Sequence, residues 1–574
     1  MKKALSAILA GIVLVASLAG CGGGNDTPSN APTATPASNT QAPADNNPVS
    51  EAPVENAEIV DGRFTETRHI TVEIYDRSTE GAAPVDDNWI TEYIKAGMLE
   101  KHNVEVTYVP VPRWDETPVL NNLLAAGDAP DVCVTYSFPT IQTYANMGGV
   151  LDMNPIFQQY PEYMQNLVNL IGEDFITYDQ DPNTGVIWAI EAHQFNLAGQ
   201  KTMIREDWLA KLNLPEPKTI TQFEDTLRAF KENAETLLGD EAANIVPLLV
   251  TYDVGWNNID LADAMLPANM TDKDQFVYGF DDRRMLYPGY KESVRYLNTW
   301  YNEGLIWQDF ALYGSGDETS TNLIKSGYVG AHTQNIDVAY RDGDNGWQQT
   351  LQRLVSPDAA YITVATFENE AGQYRKYWGM PVDRKVFFPG TNDEPLASLM
   401  YLDFISTQEH LQFIQMGVEG EHHEIMPDGA MKMLSVDGLR KMQPANNIDY
   451  TITCNGIHLG VPTYDIDLTN RSLQFNYAGV DAKYIERAFD LSEYTITYRK
   501  NAKVGEIKAE EGMGTVLQEK RDNMLAQAVV AKPENFDAVY DAGMQDYLNS
   551  GGQAIIDERI AAWEAVYGSA VNID

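Results

Sequence analysis

The sequence predicts an α/β protein built on open sheets with parallel crossovers. Strand-like runs alternate with helix-like runs through the first third of the chain, which is the signature of crossover units. The 574 residues supply enough chain for two or more hydrophobic cores. Beyond the N-terminal leader no second long apolar segment exists, so no membrane-spanning helix is expected in the folded part.

The elements follow in order. Arg68–Tyr75 (RHITVEIY) alternates apolar and polar residues, as a half-buried strand does. Trp89–Lys101 fits an amphipathic helix, and Val104–Val111 (VEVTYVPV) a second strand. Thr117–Ala126 reads as a helix stopped by Gly127-Asp128-Ala129-Pro130, and Asp131–Tyr136 as a third strand. Ligands of open α/β sheets bind beyond the carboxyl ends of the strands. Attention therefore falls on Asp76-Arg77-Ser78 and on Tyr136-Ser137-Phe138, and Asp76, Tyr136 and Ser137 are candidates on this argument. Asp207–Leu214 and Thr221–Ala234 read as helices joined through Pro215-Glu216-Pro217, with Thr219 and Gln222 spaced as a capping box. Tyr290–Gly304 is a strongly amphipathic helix with Gly304 at its end. Pro395–Phe413, Thr515–Ala528 and Asn549–Tyr567 are further helical stretches, and no internal repeat is present.

Residues 1–21, MKKALSAILAGIVLVASLAGC, open with two lysines and continue in an apolar run too short for a comfortable span. Leu18-Ala19-Gly20-Cys21 resembles a bacterial lipobox, which implies cleavage before Cys21 and lipidation of its thiol. Gly22 to about Asn56 is Gly, Pro, Ala, Ser, Thr and Asn with hardly a large apolar residue, the composition of a disordered tether. The formal net charge of -43 argues against nucleic acid as a partner. It also disfavours a polyanionic ligand unless local arginines override the field. With Cys21 lipidated, Cys133 and Cys454 remain. Two buried free thiols are expected, with a disulfide between them as the open alternative.

Five stretches then carry a family resemblance. They are Gly127-Asp128-Ala129-Pro130-Asp131 before a strand, Ile204–Leu212 with its Pro-containing turn and Thr219–Phe223, Tyr301–Leu305, Gly327-Tyr328-Val329-Gly330-Ala331, and Gly417-Val418-Glu419-Gly420. In this order they resemble the large lipoprotein solute-binding proteins of bacterial ABC importers, of the extracellular family-1 carbohydrate type, over about residues 66–570. The resemblance implies a two-lobed, type II periplasmic-binding-protein-like fold, with hinge strands and a ligand cleft that closes on its cargo. Hinge crossings are expected near Ala192–Gln194 and Tyr377–Met380. The implied organisation is a signal peptide over 1–20, a lipid-anchored linker over 21–62, a first lobe of 63–193 plus 378–430, and a second of 194–377 plus 431–574. The implied partners are an oligosaccharide and the permease subunits of an importer, for a monomer anchored at the outer face of the cytoplasmic membrane.

A sugar site needs aromatic plates for C–H faces and carboxylates, amides and arginines for hydroxyls. Trp256 and Asn257 stand in the polar turn Asp253–Asn258, Trp378 at an expected hinge, and Trp188 close to Glu191. Arg205 can reach a ligand with its fork, or pair with Glu206 or Asp207. Glu419 lies in the G-x-E-G stretch, and His332 and Asn335 follow the G-x-x-G-A turn. For each, core packing or loop pinning is the competing role. Glu421-His422-His423-Glu424 has the wrong spacing for a zinc site. Asp179–Gly185 resembles a calcium loop whose glycine comes one place late and which lacks the closing glutamate, so a turn is expected and structural calcium alone stays open. No phosphate-binding GxxxxGK[ST] motif occurs, and no catalytic residue or cofactor is expected. Two other functions remain: a peptide-binding lipoprotein with an extended groove, and a tethered glycoside hydrolase, which needs only two spaced carboxylates.

Overall fold

The computed structural model describes residues 58–78, 82–194, 199–267, 269–281, 283–314, 317–341, 345–364, 367–368, 377–442, 449–459, 465–477 and 479–573. The expected leader, Cys21 and most of the linker lie outside them, as does the side chain of Trp378.

β1 (Arg68–Asp76) and β2 (Val104–Pro112) pair in parallel from Arg68↔Val104 to Asp76↔Pro112. The connecting α1 (Trp89–His102) begins at Asn88, whose side chain accepts from the amides of Ile90 and Thr91 while Thr91 bonds back to it. α2 (Glu116–Ala126) ends at Gly127, whose φ of 76° favours glycine. The G-D-A-P-D turn then has a visible purpose. The Asp131 carboxylate accepts from both the amide and the hydroxyl of Thr71, each at 2.7 Å. That clamp sets β3 (Cys133–Thr135) beside β1 through the parallel bridge Val72↔Val132. α3 (Phe138–Ala145) follows, and β4 (Ile190–Gln194) leads toward the second lobe.

The second sheet contains β5 (Gln200–Arg205), β6 (Val246–Leu249), β7 (Val329–Asn335) and β8 (Tyr361–Thr363), in the order β8-β5-β7-β6. β6 and β7 are parallel, but β5 runs antiparallel to β7. Leu248 also bridges Ile306 in parallel, so residues 305–307 extend the sheet beyond β6. α4 (Ile220–Glu232) and α5 (Tyr290–Asn302) cover it, burying Phe223, Phe230, Leu297 and Trp300 in the second core. Thr219 caps α4 as expected, but Gln222 accepts from the Lys218 amide instead of Thr219, so the box is one residue wider.

The chain returns through β9 (Tyr377–Gly379) and β10 (Val382–Phe387), which inserts antiparallel between β3 and β4. The long helical stretch expected from 395 is two helices, α6 (Pro395–Ile405) and α7 (Gln408–Met416). They part at Thr407, whose hydroxyl caps α7 by accepting from His410. β11 (Cys454–Asn455) pairs in parallel with β4, so Tyr450, Ile452 and Cys454 pack in the first core although the expected border put everything after 430 in the second lobe. β12 (Ile496–Tyr498) pairs with β9, and the terminal helices, including α8 (Gly514–Val530), join the second core. The result is a two-lobed α/β fold with the chain crossing between lobes more than once. Cys133 and Cys454 are free and buried, which closes the disulfide alternative.

Candidate functional site

Because β1, β2 and β3 are parallel, their carboxyl ends share one edge of the first lobe. Tyr75, Arg113, Trp114 and Tyr136 meet there. Arg113 directly follows β2, and its guanidinium carbon lies 4.1 Å from the Tyr136 ring centre, 5.1 Å from Tyr75 and 5.4 Å from Trp114. Tyr75 and Tyr136 stack with centroids 6.1 Å apart. Buried Glu116 braces the group: it accepts from the Thr135 hydroxyl and the Tyr136 amide, and Arg113 approaches its other oxygen at 3.3 Å. Burial pushes the Tyr136 phenol up, so it stays a neutral hydrogen-bonding group. Trp114 remains 75% exposed. An exposed indole on a braced base is an apolar plate presented to solvent.

Beside this platform Arg77 grips Asp449 with two bonds, of 2.6 and 2.9 Å, and Asp76 accepts from the Ser78 amide at 2.7 Å. On the sheet floor, Glu191 of β4, Lys385 of β10 and Thr135 of β3 stand in one row across the strands. Lys385 Nζ lies 3.5 Å from Glu191. Burial, followed by the charge of Asp179, drives the Glu191 carboxyl well above its usual range.

The second lobe offers the matching edge at the ends of β6 and β7. The Trp256 indole donates to Gln334 at 2.9 Å, and Arg283 sits 4.6 Å from its ring centre while pairing with Asp253 at 3.1 Å. Asn335 accepts from Gln200 at 3.3 Å. Arg341 donates to Asp337 at 2.7 Å, and the Tyr477 hydroxyl donates to the same carboxylate. Arg341 stands near enough to Arg77 for the two like charges to act on one another.

Other expected site residues have structural posts. Ser137 caps α3, accepting from the Thr140 amide. Half-buried Trp188 packs against the small core of Leu120, Cys133 and Phe387. Arg205 is buried, locked to Asp207 by two 2.7 Å bonds and to the Gly327 carbonyl at 2.9 Å. It ends β5, which is antiparallel, so it lies at the edge of the sheet opposite Trp256. Asn257 pins its own loop, accepting from Thr251 and donating to the Thr333 carbonyl. His332 sits in the core against Trp347 and Tyr361, where burial lowers its pKa to about 3. Glu419 is exposed in a turn that bridges to His423. Asp181 closes the 179–185 turn by accepting from Asn183 and Thr184. Among the described residues no group of three or more His, Cys, Asp or Glu side chains is placed to hold a metal. The sequence reading missed Trp114, Arg113, Arg283 and the Asp337–Arg341 pair. The strand-end rule, applied to the second strand as it was to the first and third, leads directly to Arg113 and Trp114.

The sequence profile described as bacterial extracellular solute-binding protein matches residues 92–374, from within α1 through β8. This matched stretch, just under half of the chain, belongs to the bacterial extracellular solute-binding proteins. This solute-binding protein is 21% identical over 353 residues to the polygalacturonan/rhamnogalacturonan-binding protein YtcQ of Bacillus subtilis (strain 168), spanning 59% of this chain and 64% of that one. It is 23% identical over 349 residues to lipoprotein LipO of the same organism, spanning 58% of this chain and 65% of that one. The chain thus spans just under two thirds of the length of these curated relatives. Among solved structures, alginate-binding protein AlgQ2 superposes with a TM-score of 0.62 at 18% identity, covering 87% of this chain and 98% of that one. FusA of S. pneumoniae, solved with kestose, gives 0.62 at 15% identity, covering 88% and 100%. At such identities these likenesses establish the fold, the two-lobed arrangement of periplasmic-type binding proteins. Among the described residues no helix is long and apolar enough to cross a membrane.

Proposed function

We propose that this solute-binding protein is a lipid-anchored surface receptor that captures an oligosaccharide by lobe closure and delivers it to the permease of an ABC importer. The observation that carries the reading is the braced, exposed Trp114 plate beside Arg113 and Tyr136, and the other lobe adds an edge of indole, amide and carboxylates around Trp256. Such a pairing matches the alternating apolar faces and hydroxyl rims of sugars. The names of YtcQ, AlgQ2 and FusA place saccharides with three relatives. The lipobox-like Leu18–Cys21 and the polar tether support anchoring through Cys21, in agreement with a lipoprotein relative. We place the lobes at 63–193 plus 378–454 and at 200–363 plus 482–573, with hinges at the crossings between them.

A hydrolase is the weaker reading. The names of YtcQ, AlgQ2 and FusA describe binding proteins, and nothing in them points to hydrolysis. Thermal shift and titration calorimetry of the purified protein against plant and host oligosaccharides and peptides test the proposal. A saturable stabilisation by one oligosaccharide, recovered intact, is the expected result. Cleaved sugar, or stabilisation by peptides alone, overturns it.

A further inference from the structure

The charge of the cleft bears on which saccharides the receptor takes, and the inference rests on the saccharide-carrier reading. Four guanidinium groups stand at the two edges, and each has a carboxylate, one of which, Asp449, is shared with the buried Arg384 at 3.7 Å. Arg77 holds Asp449 at 2.6 Å, Arg113 lies 3.3 Å from Glu116, Arg283 3.1 Å from Asp253, and Arg341 donates to Asp337 at 2.7 Å. On the floor stand two more cations, Lys385 and the buried Arg384, while burial holds the Glu191 carboxyl beside Lys385 toward its neutral form. Two further carboxylates offset them, each accepting from a neutral amide: Asp76 from the Ser78 amide and Asp383 from the Asn455 side chain.

A guanidinium engaged by a carboxylate keeps spare N–H donors for hydroxyls, but its charge is compensated. At physiological salt, charges farther off than about 8 Å are largely screened, so this local balance decides what the cleft attracts. The wider field, with a net charge of -43, adds repulsion of anions at low salt. The arginines therefore do not override the acidic field. We infer that the cleft selects neutral oligosaccharides and rejects chains of free uronic acids.

The test is titration calorimetry on the intact protein at low and high salt. The probes are neutral oligosaccharides (galactan, arabinan, mannan, fructan and glucan fragments), free-acid galacturonide and alginate oligomers, and methyl-esterified galacturonides, which remove the charge from the same backbone. The expected result is saturable binding of a neutral probe, with free acids weaker by about tenfold per uronate at low salt and the deficit shrinking as salt rises. A free-acid oligomer that binds as tightly as the best neutral probe, and more weakly at high salt, overturns the inference while leaving the saccharide receptor intact. Failure of every saccharide overturns both. Asp337→Asn releases the charge of Arg341, and Asp253→Asn that of Arg283. Whichever variant keeps the wild-type melting curve should narrow the gap between free-acid and esterified probes about tenfold, and an unchanged gap overturns the charge-pairing argument.

Discussion

In the first lobe, Trp114 leans on Arg113 and three quarters of its surface is open to solvent. In the second, Trp256 is tied at its ring nitrogen by Gln334 and covered on a face by Arg283. Both residues stand just past the carboxyl end of a strand, and both have an ion-paired arginine beside them. The difference is how much of each indole its own lobe already uses. An untethered plate loses little protein packing when removed and loses its ligand contact; a tethered plate is part of the edge it stands on. Under the proposed function, the comparison separates a residue that would receive cargo from one that holds its own edge in shape.

The largest effect is expected far from both edges. Arg205→Ala breaks a buried bidentate pair with Asp207 and should cost about 3 kcal/mol of stability, seen as a lower denaturation midpoint. At a temperature where the variant is folded its saccharide affinity should match wild type; a selective loss of affinity would return Arg205 to the site. At the edges, Trp114→Ala should weaken saccharide binding by about 2 kcal/mol with the melting temperature almost unchanged. Trp256→Ala should lower both, because its hydrogen bond and its cation–π contact go together. If calorimetry and melting give the two variants the same profile, the contrast between plates fails.

Two smaller effects concern pH. Glu73 lies in β1 beneath the first edge, accepting from the Val134 amide at 2.9 Å, and burial raises its pKa from 4.5 to about 8. The folded chain holds this proton between those values and the unfolded chain does not, so stability falls as pH rises through that window. Glu73→Gln should remove this slope, leaving the variant about 4 kcal/mol more stable than wild type near pH 8 and equal to it near pH 4. In the second lobe the sign reverses. His332 stays neutral in the fold down to about pH 3, while the unfolded chain takes up a proton near 6.5. Stability is therefore lost as pH falls from 6.5 toward 3. His332→Leu should flatten that acid limb by about one proton and leave saccharide affinity alone; a shift in affinity would place His332 at the cleft.

The strands and helices of the first third were legible because each carries its own signal. The alternation in 68–75, the stop at Gly127 and the cap at Thr219 are local facts of side-chain period and hydrogen-bonding capacity. The platform was half legible. Tyr136 is found by the strand-end rule, but its meeting with Tyr75 and Arg113 depends on three strands lying parallel and in register. Arg205 shows the limit from the other side. It ends a strand with the same credentials as Arg113, yet β5 is antiparallel, and strand direction is not written in the residues of the strand.

The sequence by itself determined the α/β class, the order of most elements and the family resemblance, because periodicity, caps and turn residues act over a few positions. Only the tertiary structure decided which side chains meet at the strand ends. Arg77 finds Asp449 across 372 positions, and the first-lobe core takes back residues 450–454 between two segments of the second lobe. Those encounters are set by packing and pairing between distant segments, and no local pattern encodes them.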